Sequence, residues 1–158
     1  MENLFKKTSY ENRRFFFMIL VGIDPDVEKN GFALIHNKSY ELANLTFFEL
    51  YDKLQSLKND FECEKIKVFV ECGFLNKSNW HKLKKGSASI NANIGNRTGR
   101  NHEVAHKIVE MCEYLNLTHF KVKPTTKKRD NKDFSLITGI KKRTNQEQRD
   151  AMLLIFGR

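Results

Sequence analysis

The chain has 158 residues, of which 40% are hydrophobic, and carries a formal net charge of +9. The length suits one domain, 1–158, with a real core, and the charge makes a polyanion the expected partner. Three cysteines without ligand-like spacing speak against a disulfide framework and suit a reducing, cytoplasmic setting.

Residues 1–14 are polar and charged and read as a loose N-terminal arm. Phe15 to Asp24 is nearly continuously apolar, which predicts a central strand covered on both faces. The run is too short to span a membrane, and no small-residue cleavage site follows it, so a buried strand is expected here and not a signal peptide. Pro25 ends it. Gly31–His36 and Glu41–Leu45 alternate with polar turns and complete an antiparallel meander of three strands. Thr46 and Glu49 form a capping-box pattern, and the apolar spacing beyond them predicts a helix over Phe47–Asp60. Ile66–Glu71 then reads as a strand parallel to the first, because a helix precedes it.

Gly73–Ile90 reads as an irregular basic loop holding Phe74 and Trp80. A long helix is predicted over Asn91–Asn116, and a short strand over His119–Lys123, closed by Pro124. Thr125–Arg143 is basic and turn-rich, with one helical turn at Phe134–Thr138. A last helix spans Asn145–Phe156, with Thr144 and Glu147 as its capping box. The order βββαβαβα implies an α/β protein: a mixed sheet, three antiparallel strands followed by parallel ones, flanked by helices.

Four acidic residues stand out against this frame. Asp24 and Glu71 end two apolar strands, where a carboxylate adds nothing to a core. Glu147 and Asp150, three apart, share one face of the last helix. If the crossover is as predicted, the strand-end pair lies at the same end of the sheet, where α/β proteins bind ligands. Such a cluster could hold two divalent ions about 3.5–4 Å apart, and oxygen donors favour Mg²⁺ or Mn²⁺ over zinc. Each acid has a plainer explanation: a turn former at Asp24, an exposed sheet edge at Glu71, a helix cap at Glu147, a surface ion pair at Asp150. Their joint occurrence favours the cluster.

These residues also resemble a family. Gly22-Ile-Asp-Pro25 with Gly31, then Val70-Glu71 with Phe74, then Glu147-Gln-Arg-Asp150-Ala151 are similar, in order and spacing, to the motifs of RuvC Holliday-junction resolvases. The resemblance runs from about Ile19 to the C-terminus. It implies an RNase H-like fold, a homodimer, and Mg²⁺-dependent cutting of four-way or other branched DNA. It also implies that Asp24, Glu71, Glu147 and Asp150 are catalytic metal ligands, that Phe74 stacks on bases, and that Lys128 contacts DNA. Asp26 departs from the family, which usually has glycine after Asp-Pro.

Basic side chains at Lys82, Lys84, Lys85, Arg97, Arg100 and Lys127 could follow a phosphate backbone, with Phe74 and Trp80 able to stack on unpaired bases. Trp80 could equally bury against the long helix. His102-Glu-Val-Ala-His106 matches the zinc-protease pattern, with both histidines on one helix face but only vague third ligands in Glu113 or His119. The expected function is therefore a branched-DNA endonuclease. A non-catalytic nucleic-acid-binding module, an RNase H-like nuclease acting on RNA, and a zinc peptidase are the alternatives.

Overall fold

The computed structural model describes residues 18–76, 87–125 and 127–158. It contains a five-stranded sheet in the order β3-β2-β1-β4-β5. The strands are β1 (Ile19–Asp24), β2 (Asn30–His36), β3 (Ser39–Leu45), β4 (Ile66–Glu71) and β5 (Thr118–Val122). The first three pair antiparallel, while β4 lies parallel to β1 and β5 parallel to β4. The predicted meander and the crossover into β4 are both present. The start of the first predicted strand, Phe15 to Phe17, lies outside the described residues, as does the arm 1–14.

The period of two along each strand sorts side chains onto two cores. Ile19, Val21 and Ile23 of β1 and Ile66, Val68 and Val70 of β4 face one side. They meet Leu50, Leu54 and Leu57 of α1 (Phe47–Asp60) and Ile108, Val109 and Cys112 of α2 (Ala88–Tyr114). Leu20 and Phe69 face the other side, where α3 (Asn131–Thr138) supplies Phe134 and α4 (Gln146–Leu153) supplies Ala151 and Met152. The same alternation puts Gly22, Asp24 and Glu71 on the α4 side.

Several boundaries differ from the sequence reading. The predicted loop ends early, because Ser87 caps α2 by accepting a hydrogen bond from the Ile90 amide. A short 3-10 turn, Gly73–Leu75, follows β4. The basic stretch holds a full helix, α3, where only one turn was predicted. Asp130 caps its start, and Gly139, at φ 75°, ends it in the left-handed region that glycine tolerates.

The last difference bears on the site. The capping box of α4 is Asn145 with Gln148, not Thr144 with Glu147, and the helix ends at Leu153, short of the predicted Phe156. The Thr144 hydroxyl instead donates to Asn131 Oδ1 at 2.8 Å, tying the start of α4 to α3. Glu147 is thereby released from the capping role.

Arg149 secures the same junction. It is buried, with no carboxylate partner among its hydrogen bonds. Its guanidinium donates to the Arg129 carbonyl at 2.9 Å, Asn131 Oδ1 at 3.1 Å, the Thr144 carbonyl at 2.5 Å and Gln146 Oε1 at 2.9 Å. Arg149→Met keeps the volume but strands those acceptors, each worth about 1–3 kcal/mol when left unpaired. We expect it to lower the urea midpoint by an amount equivalent to about 2–4 kcal/mol. An unchanged midpoint would show that water replaces the guanidinium at no cost.

Candidate active site

The four acids singled out from the sequence line one cavity of about 420 Å³. Asp24 and Glu71 reach it from neighbouring parallel strands. Ile23 pairs with Val70, so each acid is the next residue of its strand. Glu147 and Asp150 reach it from the first turns of α4. Asp26, Asn101, His102, Lys128 and Gln146 complete its polar wall.

Two glycines allow α4 to lie this close. A Cβ on Gly22 would sit 2.0 Å from the Ala151 carbonyl oxygen, and one on Gly31 would sit 2.2 Å from that of Glu147. No side chain fits either place, so the helix backbone rests directly on β1 and β2. Beyond β1 the turn is pinned by the Asp26 amide donating to Asn30 Oδ1 at 3.1 Å, and by Asn30 Nδ2 donating to the Leu45 carbonyl at 3.2 Å.

The cavity crowds negative charge. The Asp24 carboxyl is pushed up from 3.8 to about 8, first by burial and then by Glu71, with Asp150 and Glu147 adding to the shift and Lys128 opposing it. Glu71 is also raised, by burial and by Asp150, again against Lys128. Lys128 is ion-paired with Asp150, whose other oxygen accepts from Gln146 Nε2 at 2.8 Å. Burial alone would lower the Lys128 ammonium; Asp150, Glu71 and Asp24 hold it above its ordinary value. A single ammonium against five carboxylates leaves the cavity strongly anionic inside a basic protein.

Divalent cations of the Mg²⁺ type fit this donor set. All its anionic groups are oxygen donors, and a cation would relieve the repulsion that adds to burial in raising Asp24. Among the described residues no group of three His, Cys, Asp or Glu side chains is placed to hold one metal ion. The fit is therefore one of donor chemistry and charge.

The predicted nucleic-acid contacts fall in several places. Arg97 and Arg100 are exposed on α2 and line hollows that also include Asp26, which itself borders the acidic cavity. Lys127 is exposed beside Lys128. Lys128, expected to contact DNA, stands inside the cavity wall. Phe74 is half-buried against the core, with its ring stacked on His106 at 3.8 Å between centroids. Trp80, Lys82, Lys84 and Lys85 lie outside the described residues.

The zinc-protease pattern does not assemble. His102 enters the acidic cavity while His106 is occupied with Phe74, and among the described residues no third ligand joins them. Glu113 and His119 pair with each other at 3.8 Å instead. Asn101 and Gln146 were missed by sequence reasoning, and Asp26 and His102 were named there without a place in this cavity. For His102 the signal was present in the wrong motif: its place on the helix was right and its partners were not.

A scan against protein-family models gives no match, and a search of curated proteins gives none. Solved structures do match. The RuvC of Thermus thermophilus in complex with a Holliday junction substrate superposes with a TM-score of 0.50 at 11% identity, covering 87% of this chain and 89% of that one. A structure of Thermus thermophilus RuvC gives 0.47 at 12% identity, covering 87% and 90%. The first likeness shows the fold: this chain has the RuvC-like, RNase H-like architecture that its motifs resemble. Among the described residues, no helix is long and apolar enough to cross a membrane.

Proposed function

We propose that this protein is a Mg²⁺- or Mn²⁺-dependent endonuclease that cuts phosphodiester bonds in branched DNA, with four-way junctions as the favoured substrate. The carrying observation is the convergence of Asp24, Glu71, Glu147 and Asp150 on one cavity, with Asp24 raised to about 8. The shared fold with RuvC supports the choice of substrate. Asp24, Glu71, Glu147 and Asp150 would hold the cations, which when bound would activate a water and stabilise charge on the phosphate.

The chain's own groups do the rest. Lys128 offsets part of the carboxylate charge, so that an anionic backbone can approach. Arg97 and Arg100 lie beside the cavity mouth and can hold phosphates on one flank. Cutting a two-fold symmetric junction on both sides requires two such cavities, so the working form is a homodimer.

The test is cleavage of four-way, flap and linear DNA, and of an RNA hairpin, each with Mg²⁺ and with EDTA. Metal-dependent paired cuts in the four-way substrate are expected, with weaker cutting of flaps. Tight binding without cutting in Mg²⁺ would make this a binding module. Preferred cutting of the hairpin would move the substrate to RNA.

A further inference from the structure

We propose that His102 is the proton donor of this site: its imidazolium gives a proton to the oxygen that leaves phosphorus when the backbone is cut. The inference rests on the nuclease reading above and adds to it a residue that the acid cluster does not account for.

The chemistry sets the requirement. When water attacks phosphorus, the bond to the bridging oxygen breaks and an alkoxide, a poor leaving group, departs. A proton delivered to it in the transition state speeds such a step by about 10²–10⁴-fold. The acidic wall is poorly suited to supplying that proton. Glu71, Glu147 and Asp150 serve as anionic ligands, and so does Asp24 once a cation is bound. Asn101 and Gln146 are amides, which donate hydrogen bonds but do not release protons. Lys128 is ion-paired with Asp150 and held in its charged form by the surrounding carboxylates. His102 remains, and imidazole is the side-chain type whose unperturbed charge change falls near neutral pH.

Its placement is specific. A Cβ on Gly73 would lie 2.8 Å from His102 Nε2 and 2.9 Å from its Cδ2. The imidazole edge therefore rests on bare backbone two residues beyond Glu71, where any side chain would displace the ring. Phe74 meets the same ring edge-on at 6.5 Å between centroids and 83°. Ala105, one turn along and buried, lines the cavity beside it without filling it. His106 stacks on Phe74 and so braces the far side of the ring that His102 touches.

The charged groups that line the cavity with His102 are Asp24 and Asp26 from β1 and its turn, Glu71 from β4, Glu147 and Asp150 from α4, and Lys128 ahead of α3. Glu103 and His106 are on its own helix. In the proposed step the proton passes from the ring nitrogen to the leaving oxygen, the phosphorus–oxygen bond breaks, and the neutral ring takes a new proton from solvent.

The experiment compares two four-way junctions with Mg²⁺. One is all-oxygen; the other has sulfur in the bridging position on the leaving side, as identified from the wild-type products. A thiolate leaves without protonation. His102→Ala and His102→Gln, each shown to be folded by circular dichroism, are expected to lose about 10²-fold or more in kcat on the oxygen substrate. Both should cut the sulfur substrate at the wild-type rate. Equal losses on both substrates would overturn the proton-donor role while leaving the nuclease reading intact. Failure of the wild type to cut either substrate would overturn both.

Discussion

Replacing Asp24 with asparagine is expected to make the metal-free protein more stable and the enzyme inactive. The buried carboxyl has a folded value of about 8 against 3.8 when unperturbed. Between those limits the folded state holds a proton that the unfolded state has released. Stability is then full below about pH 4 and falls as pH rises through the folded value, by an amount on the order of a few kcal/mol. An asparagine keeps the shape and carries no charge. In EDTA at pH 8.5 (chosen above the folded value), Asp24→Asn should therefore raise Tm, by roughly 5–10 °C, while at pH 4 it should change little. Mg²⁺ should reverse the order, since it stabilises the wild type by binding the folded state and has one ligand fewer in the variant. Cleavage should fall by at least about 10³-fold, the scale of several kcal/mol of lost charge stabilisation, while junction binding persists through the basic surface. Calorimetry at the two pH values with EDTA and with Mg²⁺, together with a cleavage and a binding assay, measures all of this. Retained cutting would refute the catalytic assignment. An unchanged Tm at pH 8.5 would show that neither burial nor the neighbouring carboxylates raise that carboxyl.

Much of this site was legible because its signals are local. A carboxylate that ends an apolar run stands out by contrast, and the period of two then decides which face it takes. Asp24 and Glu71 follow from that alternation and from one parallel crossover. Thr46 with Glu49 was readable as a capping box and forms one. Thr144 with Glu147 matched the same pattern and forms none, because Asn145, one residue later, offers an equally good cap and Thr144 has a better partner in Asn131. A short pattern cannot choose between two adjacent caps; a contact thirteen residues away does.

The illegible part is what depends on three-dimensional neighbours. Lys128 and Asp150 are 22 positions apart, and nothing in their local sequence announces a pair. The helix α3 was hidden because its lysine-rich surroundings read as turn, although Asp130 and Asp133 carried a capping signal. His102 was noticed for a motif that does not assemble, while the feature that positions it, the bare backbone at Gly73, becomes visible only when strand end and helix face each other.

Gly31→Ala is expected to do more damage to cutting than to folding. The added methyl would stand 2.2 Å from the Glu147 carbonyl oxygen and 2.5 Å from its carbon. These are backbone atoms of a helix, so no side chain can swing aside, and α4 must lift away from β2. Overpacking of this kind costs about 1–3 kcal/mol. A cooperative domain can survive that. The cavity fares worse, because its two halves are held on different elements: Asp24 and Glu71 on the sheet, Glu147 and Asp150 on α4. A shift of about 1 Å between them is enough to cost on the order of 10²-fold in rate. Assayed well below its Tm, Gly31→Ala should thus be fully folded, cut about 10²-fold more slowly, and need more Mg²⁺ for half-maximal stabilisation. Gly95→Ala is the control, on the exposed start of α2, where a Cβ would meet nothing within 4 Å. It should gain about 0.5–1 kcal/mol in stability from helix propensity and leave the Mg²⁺ requirement unchanged. If Gly31→Ala instead loses stability and activity in proportion, the helix is not held in a fixed register by its contact with the strand. The spacing of the four carboxylates would then be set by something other than the two bare glycines beneath it.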